Sequence, residues 1–190
     1  MATIRQGSKA VLLVVDVQVG VVREAHETAR VVGNIALAVK KARSQGVPVI
    51  WVQHEDEELI RGSADWQMEA PLAPREGEVR IYKRYNSSFE DTELEETLAR
   101  LGAAQIYLAG AATNWCIRAT AYAALERGYD LTLLKDGHTT GTMEFEDGRK
   151  VEAADVILDL NVAMKWLSYP GRKNAAVAAA ELDFAAPASS

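Results

Sequence analysis

The sequence predicts an α/β fold: a single-domain, three-layer α-β-α sandwich around a mostly parallel six-stranded sheet. Two observations predict it. Short apolar runs rich in β-branched residues alternate with segments of helical spacing, and a helix, a glycine and a short strand follow one another three times. Because crossovers between parallel strands are right-handed, such repeats place helices on both faces of the sheet. At 190 residues, one domain over residues 1–190 is expected.

The first half of the chain begins with a fully apolar run. Ala10–Val15 is typical of a strand that is buried on both faces of a parallel sheet. A helix with apolar residues on one face follows, and Gly46 and Pro48 are residues that end such a helix. The predicted elements are a strand at Ala10–Val15, a helix over 28–45, a strand at Val47–Val52, a long loop over 55–78 and a strand at Val79–Tyr82.

The second half repeats this pattern. Thr92-Glu-Leu-Glu95 has the form of a capping box and opens a helix that ends at Gly102. Further elements are predicted as a strand at Gln105–Ala109, a helix at Asn114–Arg127, a strand at Tyr129–Leu134, a helix at Lys150–Leu160, a sixth strand at Val162–Trp166, and an Ala-rich tail over 169–190 with a short helix at Asn174–Leu182. Six strands connected in this way have a Rossmann-like topology.

Composition narrows the class of function. With 21 Lys+Arg against 27 Asp+Glu, the net charge is −6. An acidic chain gains nothing from a polyanion, so we expect no nucleic acid and no membrane among its partners. The polar start lacks the apolar stretch of a secretory signal, which indicates a cytoplasmic protein. The expected partner is a small-molecule substrate.

The chain has one cysteine, Cys116, which excludes an intrachain disulfide and a multi-thiolate metal site. Cys116 is therefore either an inert core residue or a reactive thiol. In an open α/β sheet, ligands bind beyond the carboxyl ends of the strands. Those ends present Asp16, Lys83 and Cys116 at one edge of the predicted sheet.

The position of Cys116 favours the reactive interpretation. It follows a Gly-Ala-Ala-Thr turn and falls in the first turn of a predicted helix, with Thr113 as the expected N-cap. Free backbone N–H groups and the helix dipole favour a thiolate there. A carboxylate and a cation at the same edge would equip this cysteine for nucleophilic catalysis.

Three motifs stand out: Val-Val-Asp-Val-Gln near the start, Lys83 before Arg-Tyr-Asn-Ser-Ser-Phe89, and Gly110-Ala-Ala-Thr-Asn-Trp-Cys116. Together they resemble the isochorismatase-like cysteine hydrolase superfamily, over about residues 8–140. The resemblance implies a triad in which Cys116 attacks a carbonyl carbon, Asp16 moves the proton and Lys83 holds the carboxylate. It also implies a cis peptide at Ala111–Ala112, an oxyanion hole formed by the backbone N–H groups of Ala112 and Cys116, and a homodimer or homotetramer.

The resemblance implies cleavage of a C–N bond in a small amide, carbamoyl compound or lactam through a thioester. Nicotinamidases are similar in the triad but carry an Asp-x-His pair that binds a metal. Here the second strand runs into Gln53-His54-Glu55-Asp56, so no metal site and no cofactor are predicted. True isochorismatases cleave a vinyl ether and commonly lack the cysteine, which makes that activity the second hypothesis. A non-catalytic ligand-binding descendant is the third.

Six residues near the three strand ends are candidates for the substrate pocket. For each aromatic residue among them, a role in the core or in an interface is an equal alternative. The candidates are Gln18, Trp51, His54, Tyr85, Phe89 and Trp115.

Overall fold

The computed structural model describes Arg5 and residues 7–184. Its strands are β1 (Lys9–Val15), β2 (Val49–His54), β3 (Val79–Lys83), β4 (Ala103–Ala111), β5 (Asp130–Thr139), β6 (Met143–Glu144), β7 (Lys150–Val151) and β8 (Asn174–Val177). Its α-helices are α1 (Val19–Val22), α2 (Thr28–Ser44), α3 (Leu94–Leu101), α4 (Arg118–Glu126) and α5 (Ala153–Trp166). A π-helical turn at Thr113–Ile117 precedes α4, and a 3₁₀ turn at Ala179–Glu181 follows β8.

The main sheet has six strands in the order β3-β2-β1-β4-β5-β8, and all five pairings are parallel. The order reverses at β1, whose neighbours are β2 on one side and β4 on the other. This is the strand order of a Rossmann fold, with the switch point where ligands bind in such sheets. The predicted α/β sandwich is confirmed.

Both faces of the sheet are covered because β1 has apolar residues at every central position. Leu13 and Val15 point into a core shared with α3, α4 and α5, whereas Leu12 and Val14 point into a core shared with α2. All four are fully buried. Each such side chain contributes about 1.5–3 kcal/mol by leaving water. Within the part of the chain that the structure describes, no helix combines the length and apolar character that crossing a bilayer requires.

The C-terminal region corrects two predictions. The predicted strand at Val162–Trp166 is wrong, because α5 runs unbroken from Ala153 to Trp166. Its buried residues Val156, Leu160 and Met164 recur every four positions, which is helical spacing. The sixth strand is β8, where a short helix was predicted, and it pairs with β5. The last part of the predicted tail, residues 185–190, lies outside the described residues.

The predicted loop at 55–78 is confirmed, and its last residue is a point of attachment. The Glu78 carboxylate accepts hydrogen bonds from Arg43 Nε at 2.8 Å, from Trp51 Nε1 at 2.7 Å and from the Arg75 backbone N–H at 2.8 Å. Partial burial opposes ionisation, but these donors outweigh it and lower the pKa of Glu78 to about 2. Glu78 thereby connects the loop to α2 and β2.

We expect Glu78→Gln to lower the free energy of unfolding by about 2–3 kcal/mol at pH 7, because a depressed carboxyl pKa is a stabilising interaction. In the wild type, this contribution is complete above the ordinary pKa of 4.5 and is lost as the pH falls towards 2. Urea unfolding at pH 7 and pH 3 measures both effects. The exposed Glu76→Gln serves as the matched control, and equal stability of the two variants at pH 7 would refute the role of Glu78.

Candidate active site

The side chain of Lys83 connects the other two residues of the predicted triad. Its Nζ lies 2.6 Å from Asp16 Oδ2 and 3.3 Å from Cys116 Sγ, and it donates to the Tyr85 carbonyl oxygen at 3.0 Å. The Lys83 and Asp16 side chains are 0% and 1% exposed. A buried ammonium group therefore contacts both a carboxylate and a thiol.

The order of the strands explains why these residue types meet. Asp16 follows β1, Lys83 ends β3 and Cys116 follows β4. Since β2 lies between β1 and β3, the residue at position 83 must cross two strand spacings of about 5 Å each, which requires a long side chain. In contrast, β4 is directly beside β1, so the cysteine turn begins next to Asp16.

Gly110 allows β4 to lie this close to β1. It pairs with Val15 in the sheet, and a Cβ atom built on it would be 1.9 Å from the Val15 carbonyl oxygen. Its φ of +134° is also a conformation that other residues rarely adopt. The next peptide bond, Ala111–Ala112, is cis. Asp16 itself has a φ of 52°, in the left-handed region that Asp tolerates better than most residues.

Cys116 lies in the π-helical turn rather than in a regular α-helix, and α4 begins at Arg118. The N-cap of the turn is Ala112, whose carbonyl oxygen accepts from the N–H groups of Trp115 and Ile117 at 3.1 Å. The prediction that Thr113 is the N-cap is therefore wrong. Its hydroxyl contacts a histidine ring on β5 instead.

The proton affinities of the site differ from the expectation for a helix start. Burial, together with the Asp16 charge, raises the pKa of the Cys116 thiol to about 12, although Lys83 opposes the shift. Burial also raises the pKa of Asp16 against the effects of Lys83 and Cys116. Burial and the Asp16 carboxylate thus favour the protonated thiol, whereas the helix start and Lys83 favour the thiolate. The raised pKa of Asp16 suits its carboxylate to accept the thiol proton.

Two of the predicted pocket residues lie at the polar side of the triad. His54 Nδ1 is 3.4 Å from Lys83 Nζ, and His54 Nε2 is 3.0 Å from Asp56 Oδ2. The buried Gln18 amide donates to the carbonyl oxygens of His54 and Trp66 at 3.0 and 3.1 Å. Gln18 therefore orders the loop beside the site. Among the described residues, no three His, Cys, Asp or Glu side chains form a group that could hold a metal ion.

The four aromatic candidates divide into two pairs. Tyr85 and Trp115 are 48% and 55% exposed, and the backbone of each adjoins the triad, through the Lys83 contact and as the residue before Cys116. Trp51 is in the core on the α2 face, opposite the core that Cys116 packs against. Phe89 is buried and stacks on Tyr129 with ring centroids 5.9 Å apart. The structure thus places Trp51 and Phe89 in the core and not beside the triad.

Sequence reasoning missed two residues near the triad. Asn86 Oδ1 is 3.9 Å from Cys116 Sγ, and Asp56 supports His54. Asn86 was identifiable, because it belongs to the motif that follows Lys83. No sequence signal marked Asp56, because its role depends on how the loop turns back over His54.

Comparisons with known proteins agree with this architecture. The sequence profile of the isochorismatase domain matches residues 10–158. A crystal structure of an isochorismatase from Pseudomonas putida KT2440 superposes with a TM-score of 0.83 at 27% identity, covering 93% of each chain. A streptothricin hydrolase of Streptomyces noursei is 32% identical over 138 residues, covering 68% of this chain and 49% of that protein.

A ureidoacrylate amidohydrolase of Methylobacterium radiotolerans is 27% identical over 147 residues, covering 60% of this chain and 57% of that protein. The chain thus spans about half the length of the curated relatives it matches. The profile match, in contrast, extends over well more than half of this chain and includes all three strands that carry the triad. The chain therefore belongs to the isochorismatase family.

Proposed function

We propose that this protein is a cysteine hydrolase that cleaves a C–N bond of a small amide, carbamoyl compound or lactam through a thioester on Cys116. The observation that carries the proposal is the contact of Lys83 Nζ with both Asp16 and Cys116, at 2.6 and 3.3 Å. The hydrolase and amidohydrolase relatives support the same class of reaction. A cysteine beside a carboxylate has the nucleophile and the general base that acyl transfer requires.

In the first half of the reaction, the Cys116 thiol gives its proton to Asp16 as sulfur attacks the carbonyl carbon. Lys83 stabilises the developing thiolate and keeps the carboxylate in place. The tetrahedral intermediate collapses when the C–N bond breaks, and Asp16 returns the proton to the leaving nitrogen. This half yields an acyl thioester on Cys116 and an amino group, which departs as the amine or ammonia from an open-chain substrate and stays on the acyl chain when the substrate is a lactam.

In the second half, water adds to the thioester carbonyl. Asp16 takes a proton from that water, the C–S bond breaks, and the sulfur recovers a proton as the carboxylic acid leaves. We assign the oxyanion hole to the backbone N–H groups of Ala112 and Cys116, which belong to the turn that carries the nucleophile. Such donors act on the charge that develops at the carbonyl oxygen in both halves.

The test is to trap the acyl-enzyme. Wild-type protein is quenched in acid during turnover of a panel of amides, ureas and lactams, and its intact mass is measured. We expect a mass increase equal to the acyl group of a substrate, located on the peptide that contains Cys116. Cys116→Ala under the same conditions is the control and should show no adduct. Turnover without any adduct, under conditions that slow deacylation, would favour the ether-hydrolase mechanism, and tight binding of a metabolite without turnover would favour the non-catalytic hypothesis.

A further inference from the structure

A chain of hydrogen bonds centred on a buried histidine adjoins the cysteine turn and contains none of the triad residues. His138 is on β5, paired in the sheet with Gly110, and is 1% exposed. Its Nδ1 lies 2.9 Å from Thr113 Oγ1, and its Nε2 lies 3.0 Å from Asn161 Oδ1 on α5. The chain of contacts therefore runs from α5 through β5 to the first residue of the π-helical turn.

The donors and acceptors of this chain can be assigned by elimination. Asn161 Nδ2 donates to the Lys135 carbonyl oxygen at 2.9 Å, which leaves Asn161 Oδ1 as the acceptor towards His138. His138 Nε2 must then carry the hydrogen. Burial, which outweighs the effects of Asn161 and Asp136, lowers the pKa of His138 to about 4, so the ring is neutral at pH 7. A neutral ring with hydrogen on Nε2 has a bare Nδ1, which accepts from the Thr113 hydroxyl.

These hydrogen bonds contact the π-helical turn at its first residue. A π-helical turn is a rare local conformation, so the side-chain contacts around it help to fix its shape. Thr113 is three residues before Cys116, at the start of the turn. At the other end, Arg118 Nη2 donates to Asp159 Oδ2 on α5 at 2.7 Å, although that pair is partly exposed. The buried end therefore provides the stronger restraint.

We propose that His138 is a positioning residue: by accepting from Thr113, it fixes the turn in the form that keeps the Cys116 thiol against Asp16 and Lys83. Asn161 selects the ring tautomer that makes this possible. The role concerns the position of the thiol and holds whatever the substrate is, so its test does not depend on the proposed hydrolase activity.

The test measures alkylation of Cys116 by iodoacetamide across pH, followed by intact mass. Since Cys116 is the only cysteine, the adduct has one possible site. Thr113→Val keeps the shape of the side chain but removes the donor. If the turn then relaxes, the thiol leaves the buried position beside Asp16 and its pKa moves back towards the ordinary value. We expect alkylation at pH 8 to become about tenfold faster or more, and the pH–rate profile to shift to lower pH.

Two substitutions of His138 separate its two contacts. In His138→Asn, the amide oxygen can accept from Thr113 in place of Nδ1. Because this hydrogen bond is kept, Cys116 should be alkylated within about twofold of the wild-type rate. His138→Gln can reach Asn161 in place of Nε2 but leaves Thr113 without its acceptor, so it should behave like Thr113→Val. Rescue by asparagine and not by glutamine is a result that loss of packing alone would not produce.

Thr132→Val is the matched control, because Thr132 is another buried threonine whose hydroxyl bonds a side chain, Gln105 Nε2 at 3.0 Å, away from the cysteine turn. It should lose stability without any change in alkylation. Should Thr113→Val fail to fold, Thr113→Ala supplies the same test. A wild-type pH–rate profile in a folded Thr113 variant would overturn the proposal and leave His138 with a purely structural role.

Discussion

Cys116→Ser is expected to reduce hydrolysis of a C–N substrate by a factor on the order of 10⁴ while the protein stays folded. The serine hydroxyl is a much weaker acid than the thiol, and the neighbouring base is a carboxylate rather than an imidazole. Asp16 can share a proton with sulfur, yet it is too weak a base to activate an alcohol at the same place. Steady-state rates on a substrate found in the amide and lactam panel measure the effect.

The control measurements for this variant are its melting temperature and its affinity for the substrate. Cys116→Ser differs from the wild type by one atom in a half-buried position, so its melting temperature and its affinity for the substrate should change little. Cys116→Ala should lose activity to the same extent. A serine variant that keeps more than about a hundredth of the wild-type rate would show that Asp16 activates water directly, without a covalent intermediate.

Asp16→Asn is expected to destabilise the protein by about 3–5 kcal/mol, in addition to abolishing catalysis. The reason is Lys83, whose ammonium group would remain in the interior without a counter-charge. Both side chains of this pair are at most 1% exposed, so water cannot replace the lost carboxylate. Urea unfolding at pH 7, followed by far-ultraviolet circular dichroism, gives the change in free energy.

The double variant Asp16→Asn with Lys83→Met separates charge from packing. Methionine keeps much of the length of lysine without its charge, so the double variant should recover a large part of the stability lost in Asp16→Asn. Neither protein should be active. If Asp16→Asn lies within about 1 kcal/mol of the wild type, the pair is not desolvated in solution as it is in the structure.

Most of the fold could be predicted because strands that are buried on both faces of a parallel sheet are continuous apolar runs in the sequence. Ala10–Val15 is an example, since each of its neighbours is another strand or a helix. The sixth strand could not be predicted in this way. Asn174–Val177 lies at the sheet edge, is half-buried throughout, and has alanine at two of its four positions, whereas the apolar end of α5 has the composition of a strand. Tertiary pairing with β5 decides between the two segments.

The site was predictable to the extent that strand ends determine it. Asp16, Lys83 and Cys116 come together because the carboxyl ends of parallel strands share one edge. The remaining features depend on three-dimensional packing. The alternation of side chains along β2 places Trp51 on the face that α2 covers. The raised pKa of the thiol follows from burial, which no sequence motif encodes. The contact between Thr113 and His138 joins two segments whose register cannot be deduced from the sequence alone.

Gly110 has a consequence for how new specificity could arise in this scaffold. A Cβ atom at position 110 would lie 1.9 Å from the Val15 carbonyl oxygen, so any other residue there would push β4 away from β1 and displace the turn that carries the nucleophile. The segment over residues 55–65 has no regular helix or strand, and its Asp56 contacts His54 at the same edge of the sheet. Directed evolution towards a new substrate would therefore find its tolerated changes in that segment and at the exposed Tyr85 and Trp115, while position 110 would stay glycine in every active clone.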